Sequence, residues 1–125
     1  MDFEQARDNM VEQQIRTWEV LDQAVLDCVI AIPRDEFVPE AYRTLAYSDS
    51  EIPLGYGEKM MTPRVEARLV QALNLSSGDR VLEVGTGSGY LTALLAHQSA
   101  HVTSIEFRPV LLEAAMAKLK FRGFG

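Results

Sequence analysis

Three glycines on alternate positions, Gly85, Gly87 and Gly89, follow directly on the apolar run Val81-Leu82-Glu83-Val84. Few folds accommodate such a stretch. Glycine adopts positive φ without strain and lets another group come close to the backbone. The residues before the loop read as a strand over about Arg80 to Val84, and the loop opens a helix over Tyr90 to about Gln98. A second apolar run, about His101 to Ile105, ends in an acid, Glu106. Strand, glycine loop, helix, strand and acid in this order predict a nucleoside-binding βαβ unit with parallel strands. The first amides of the helix are expected to be free for a ligand. Glu106 is placed to accept hydrogen bonds from both ribose hydroxyls, at close to the usual spacing of roughly 20 residues beyond the loop.

The spacing also separates cofactors. A dinucleotide fingerprint reads G-x-G-x-x-G, and its third glycine would fall on Tyr90. The pattern here is E-x-G-x-G-x-G, led by Glu83. It resembles motif I of the class I S-adenosylmethionine methyltransferases. A nicotinamide or flavin βαβ domain is the competing ligand class. A turn whose glycines serve only close packing is the purely structural one.

The 125 residues suffice for one small domain. Apolar residues at 47% place the chain among globular proteins rather than disordered ones. A net charge of −6 lacks the basic footprint that nucleic-acid binding requires. The single cysteine, Cys28, rules out an intrachain disulfide and suits a reducing cytosol. It shares an apolar helical face with Val25, Val29 and Ile32, so a small buried hydrophobe is expected there. No run approaches 18 apolar residues, and Met1-Asp2-Phe3-Glu4 lacks the basic start of a signal peptide. A cytoplasmic protein without a membrane partner is the expectation. His97 and His101 are separated by a helix end, so they do not form a helical metal-ligand pair.

Upstream, the first 18 residues predict a helix with Met10, Val11, Ile15 and Trp18 on one face. Asp22 is the expected N-cap of a second helix that Pro33 stops after Ile32. Arg34 to Pro53 reads as a prolonged connection, with Glu36-Phe37-Val38 extended. Gly55-Tyr56-Gly57 reads as a tight or flexible loop. Thr62 is the expected side-chain cap of a third helix, with Pro63 at its first position and Val65, Leu69 and Leu73 along its core face. Ser76 to Asp79 turn the chain into the strand. A last helix begins near Pro109, carries Leu111, Leu112, Ala115, Met116 and Leu119, and ends at a Gly123 C-cap.

The first strand is apolar apart from Glu83, as befits a strand covered on both faces. Yet two parallel strands do not make a complete doubly wound sheet. The chain therefore reads as part of a longer enzyme or as a truncated product. An uncovered sheet edge would invite self-association.

Several further stretches carry a more specific resemblance. Ile32-Pro33-Arg34-Asp35-Glu36-Phe37-Val38-Pro39, Ala46-Tyr47-Ser48-Asp49 and Ile52-Pro53-Leu54-Gly55 resemble V-P-R-x-x-F-V-P, A-Y-x-D and L-P-I-G of the protein-L-isoaspartate O-methyltransferase family. Val81 to Tyr90 resembles that family's V-L-E-I-G-T-G-S-G-Y, and Ser104-Ile105-Glu106 its S-I-E. The resemblance runs from Met10 to Gly123. It implies the N-terminal part of a Rossmann-like α/β methyltransferase. Residues 1–76 would form a helical extension with a substrate loop, and 77–125 the first, incomplete βαβα part of the cofactor domain. It further implies methyl transfer from S-adenosyl-L-methionine to an isoaspartyl carboxylate of a damaged protein or peptide. The cofactor residues would be Glu83, Gly85, Thr86, Gly87, Ser88, Gly89 and Glu106, with Glu106 on the ribose and Glu83 orienting the loop. No metal is implied.

The chain departs from the family in the substrate loop, G-Q-T-I-S-Q-P or similar. It reads Gly57-Glu58-Lys59-Met60-Met61-Thr62-Pro63. Met61 stands in the place of the family's active-site serine, and methionine offers no hydroxyl. Thr62 is one position away. Either Met60 and Met61 pack the start of the helix, or the substrate pocket is retuned for another acceptor. A non-catalytic homologue is the further alternative, because the family's G-D-G motif and much of its substrate groove lie beyond the sequence matched here.

Overall fold

The computed structural model describes residues 2–121 and Gly123. Helix α1, Phe3–Met10, starts on the Asp2 carboxylate, which accepts the Gln5 amide at 3.0 Å. Instead of running on as one regular helix to residue 18, it widens into a π turn, Val11–Ile15, and tightens into a 3₁₀ turn, Arg16–Trp18. Met10, Val11 and Ile15 reach the core, as expected. Trp18 does not. It lies on the surface beneath the guanidinium groups of Arg64 and Arg68, 4.7 and 5.6 Å from its ring.

Helix α2, Gln23–Ala31, is capped by Asp22, which accepts the Ala24 amide at 2.9 Å. Val25, Cys28, Val29 and Ile32 are all buried. The Cys28 thiol donates to the Leu94 carbonyl at 3.4 Å, and burial pushes it up to about 12. It is a core group rather than a reactive one.

The region from Arg34 to Pro53 is more ordered than its composition suggests. Arg34–Phe37 and Glu40–Leu45 form two 3₁₀ turns. The extended reading of Glu36-Phe37-Val38 holds only for Val38, because the Glu36 amide turns back to the Pro33 carbonyl at 3.1 Å. Strands β1, Ile52–Gly55, and β2, Glu58–Met60, then make an antiparallel hairpin. Gly55, Tyr56 and Gly57 form its turn, all at positive φ.

Helix α3, Pro63–Leu73, buries Pro63, Glu66, Ala67 and Val70. The expected face of Val65, Leu69 and Leu73 is displaced by about one residue, and Leu69 and Leu73 are exposed. The observed stripe keeps the i, i+3, i+4, i+7 spacing of a core face, but it is rotated so that an acid, Glu66, meets the buried Arg34 at 2.5 Å. The Thr62 side chain does not cap this helix. Its hydroxyl is buried and makes no hydrogen bond. Pro63, the first residue of the helix, removes one of the unpaired amides of its first turn.

Strand β3, Arg80–Val84, pairs in parallel with β4, His101–Ile105, and helix α4, Tyr90–Gln98, crosses between them. The expectation that β3 is covered on both faces fails. Glu83 and, in part, Val81 turn toward the helices, whereas Leu82 and Val84 are 64% and 79% exposed and Ile105 is 53% exposed. Among the described residues the sheet has two strands and helices on one face only. Helix α5, Pro109–Phe121, packs Leu111 and Ala115 inward. Met116 is exposed and Leu119 half-buried against the core. Gly123 follows at φ 88°, its amide bonded to the Lys120 carbonyl at 3.0 Å, as the C-cap reading requires. One apolar core runs from Met10 to Leu95 and joins the helical segment to the βαβ unit. No helix among the described residues is long and apolar enough to cross a membrane.

Candidate functional site

The glycine loop sits at the carboxyl ends of β3 and β4, where open α/β sheets bind ligands. Gly85, Gly87 and Gly89 all adopt positive φ, but their surroundings differ. A Cβ on Gly85 would meet nothing within 4 Å. On Gly87 it would meet only the Leu54 side chain, at 3.5 Å. On Gly89 it would stand 3.1 Å from the Cβ of Ala115. Gly85 and Gly87 thus leave the backbone open, while Gly89 seats α5 on the loop, as the close-packing reading anticipated for all three.

The loop uses most of its own amides. Gly85 and Thr86 donate to the Ile105 carbonyl at 2.6 and 3.3 Å, and Gly89 donates to the Thr86 carbonyl at 3.0 Å. Ser88 Oγ accepts the Tyr90 amide at 3.2 Å. The first amide of α4 is therefore taken, contrary to the expectation that it is free for a ligand. The Gly87 amide donates to Glu106 Oε1 at 2.8 Å, and the Arg108 amide donates to Glu106 Oε2 at 2.9 Å. Two backbone donors fix this carboxylate at the loop. A carboxylate has about four lone-pair sites, so acceptor capacity remains for two hydroxyls.

Glu83 is buried rather than solvated at the strand end. Its Oε1 accepts from Ser104 Oγ at 2.6 Å and from Thr92 Oγ1. Ser104 Oγ and Thr86 Oγ1 lie 2.5 Å apart. This hydroxyl network ties β3, β4, α4 and the loop together. Burial pushes the Glu83 carboxyl up from the usual carboxylate range; the hydrogen bonds from Ser104 and Thr92 oppose this, and the nearby Glu106 adds to it.

Across a cleft of about 80 Å³ the loop faces the segment that joins β2 to α3. Lys59, Met60 and Met61 line one side, Gly85 to Ser88 the other, and Leu54, Glu66 and Leu91 complete the lining. The structure thus brings Met61 to the glycine loop. Thr62 is not among the cleft residues. At the hairpin tip, the Arg108 guanidinium lies 5.3 Å from the Tyr56 ring and 5.2 Å from that of Phe107. The hairpin therefore reaches over the loop toward the segment that follows Glu106. A wider cavity, about 480 Å³, lies away from the loop, between the 3₁₀ turns Arg34–Phe37 and Glu40–Leu45 and α5. It carries none of the predicted site residues.

Sequence reasoning missed Arg34, Glu66, Thr92 and Arg108. Thr92 had a signal, a lone hydroxyl within the apolar run Leu91 to Leu95. Arg34 stands in the stretch that resembles V-P-R-x-x-F-V-P, but nothing pairs it with Glu66, because a contact between residues 32 apart leaves no local pattern.

The βαβ unit, the acid held on a glycine loop and the helical extension form the N-terminal part of a Rossmann-like α/β methyltransferase fold. The chain belongs to the protein-L-isoaspartate(D-aspartate) O-methyltransferase family, whose sequence profile matches residues 5–124. It is 43% identical over 123 residues to protein-L-isoaspartate O-methyltransferase 1 of Rhodopseudomonas palustris (strain HaA2), covering 98% of this chain and 50% of that protein. It is 44% identical over 122 residues to the protein-L-isoaspartate O-methyltransferase of Methylorubrum extorquens (strain PA1), covering 98% of this chain and 54% of that one. The chain thus spans about half the length of these curated relatives. Among solved structures it is similar to a Plasmodium falciparum protein-L-isoaspartate O-methyltransferase in complex with S-adenosyl-L-homocysteine. The TM-score is 0.75 at 21% identity, over 98% of this chain and 57% of that one. A second protein-L-isoaspartate O-methyltransferase structure aligns with a TM-score of 0.76 at 24% identity, over 95% of this chain and 39% of that one.

Proposed function

We propose that this chain forms the cofactor-loop and acceptor-loop part of an S-adenosyl-L-methionine-dependent protein-L-isoaspartate O-methyltransferase. The observation that carries the reading is the Glu106 carboxylate, fixed on the Gly87 amide at the mouth of an open glycine loop, in a chain of this family. Glu106 would accept the ribose hydroxyls with its remaining lone pairs. Gly85 and Gly87 would admit the cofactor against the backbone. Thr86 and Ser88 would hold the loop, and Gly89 its packing on α5. Glu83 would orient the loop through Thr92 and Ser104.

The bound cofactor would supply an activated methyl group on a sulfonium. The acceptor, an isoaspartyl carboxylate of a damaged protein or peptide, is already nucleophilic near neutral pH. The protein's task is then alignment and exclusion of water. The hairpin and Met60–Met61 would form the wall against which the acceptor lies. Residues 1–76 would thus serve the acceptor and 77–125 the cofactor, in a reducing cytoplasm where a lone buried thiol is in place.

Calorimetric titration with S-adenosylhomocysteine, beside Glu106→Ala, tests the cofactor site. Binding that the substitution abolishes supports it; no binding by the parent chain removes it. Tritium transfer from labelled S-adenosylmethionine to an isoaspartyl peptide then tests the acceptor. A second acceptor class is favoured by one observation: Met61 lines the cleft where the family carries a serine. The Thr62 hydroxyl, buried and without a hydrogen bond, is the free hydroxyl next along the chain.

A further inference from the structure

Arg34 is fully buried, in the 3₁₀ turn that follows Pro33. Its guanidinium reaches three segments at once. One terminal nitrogen donates to Glu66 Oε1 at 2.5 Å, in the first turn of α3. The other donates to the Met61 carbonyl at 2.9 Å, at the joint between β2 and α3. Its plane lies over Tyr90, 4.7 Å from the ring centroid. Tyr90 is the first residue of α4, directly after the glycine loop, and is itself buried against Phe37. Glu66 and Met61 both line the cleft that Gly85 to Ser88 face.

Stability alone is a poor reason for this arrangement. Removing two charges from water costs about as much as their attraction returns, and neutral replacements of similar volume are often no less stable. What a guanidinium adds is geometry. Its planar fork fixes two acceptors at set angles while its face stacks on a ring, which neither lysine nor an apolar side chain reproduces. Here the two acceptors belong to the acceptor-loop wall and the ring to the start of the cofactor helix.

We propose that Arg34 is a positioning residue that sets the span between the Met60–Met61 wall and the glycine loop, and with it the separation of methyl acceptor and methyl donor. Its catalytic meaning rests on the methyltransferase reading above; its structural content does not. Arg34 touches neither reactant. It acts through the Met61 carbonyl, through Glu66 and through Tyr90. A misplacement of about 1 Å in a displacement of this kind costs on the order of a hundredfold in rate, so a buried fork at this joint governs the reaction from outside it.

Amide hydrogen exchange on the 125-residue chain tests this. The variants are Arg34→Lys, which keeps the charge and loses the fork, and Arg34→Met combined with Glu66→Gln, which removes both charges. In the ligand-free double variant, Glu58 to Met61 and the Tyr90 turn should exchange about tenfold faster, while the protected amides of α2 keep their rates. Arg34→Lys should loosen Met61 and leave α2 unchanged. Unchanged rates at Glu58 to Met61 in both variants overturn the proposal. So does a uniform rise across the whole chain in Arg34→Lys, which marks a merely structural role. Adding S-adenosylhomocysteine to the parent chain reads the other question separately. If it protects no amide of the glycine loop, the cofactor reading fails, whatever the ligand-free rates show about Arg34.

Discussion

Gly89 and Ala115 are packed so closely that a Cβ on the glycine would stand 3.1 Å from that of the alanine. The contact joins the third glycine of the loop to the middle of α5, and it separates the roles of the glycines. Gly89→Ala meets both a positive φ of 90° and the α5 backbone, 3.5 Å away. It should cost on the order of 2–4 kcal/mol, from left-handed strain and overpacking together. Gly85→Ala meets open space and should cost about 1–2 kcal/mol from the backbone alone. Urea unfolding of the two variants measures the difference, and equal losses would mean that α5 is not seated on the loop.

Glu83 predicts a pH dependence. Its carboxyl is raised by burial, so its contribution to stability is fully present below the ordinary carboxylate value near 4.5 and is lost as pH rises through the higher folded-state value. Glu66 is raised for the same reason, against the pull of Arg34, and acts in the same direction. Thermal melting between mildly acidic and neutral pH should therefore show a decline that Glu83→Gln makes shallower. A slope identical in parent and variant would assign the decline to Glu66 or to other groups.

The Arg108–Tyr56 contact closes the hairpin tip over the loop at 5.3 Å. Tyr56 is half-exposed and holds a left-handed φ of 57° in the turn. Such a contact contributes about 0.5–1 kcal/mol. Tyr56→Ala should lower the melting temperature by about 2–5 °C at most, given how small the term is. If the cofactor site is as proposed, it should also speed S-adenosylhomocysteine release by about 2–5-fold, the same energy expressed as a rate. Stopped-flow displacement measures that release, and an unchanged rate would show that the hairpin tip does not gate the site.

Leu82, Val84 and Ile105 form an exposed apolar strip on the sheet face away from the helices. Parallel sheets are normally covered on both faces. The 125-residue chain should therefore associate with increasing concentration in sedimentation velocity. Val84→Lys with Ile105→Lys should reduce that association, since an inserted charge resists burial. A parent chain that stays monomeric throughout would show that the strip is tolerated in water.

Much of the fold was legible because it rests on local rules. The Asp2 and Asp22 caps follow from short-range chemistry. The helix stop at Pro33, the βαβ order and the Gly123 cap also need only neighbours in the chain. The hairpin was hidden because β2 has three residues and β1 contains Pro53, so neither shows an alternating pattern. The core face of α3 is not legible in the sequence because one of its inward residues is an acid, which is buried only when a cation is brought to it.

What the sequence determined by itself was the cofactor motif and the family, since both are written in contiguous residues from Val81 to Tyr90 and in the runs before them. Only the tertiary structure decided which loop amides are already taken, which glycine is for packing, and that Glu83 is buried among hydroxyls. It alone brought Arg34, Glu66, Met61 and Tyr90 to one point. Those relations depend on how helices and strands are seated against one another. Seating is set by burial and charge pairing between distant residues, and these leave no periodic trace along the chain.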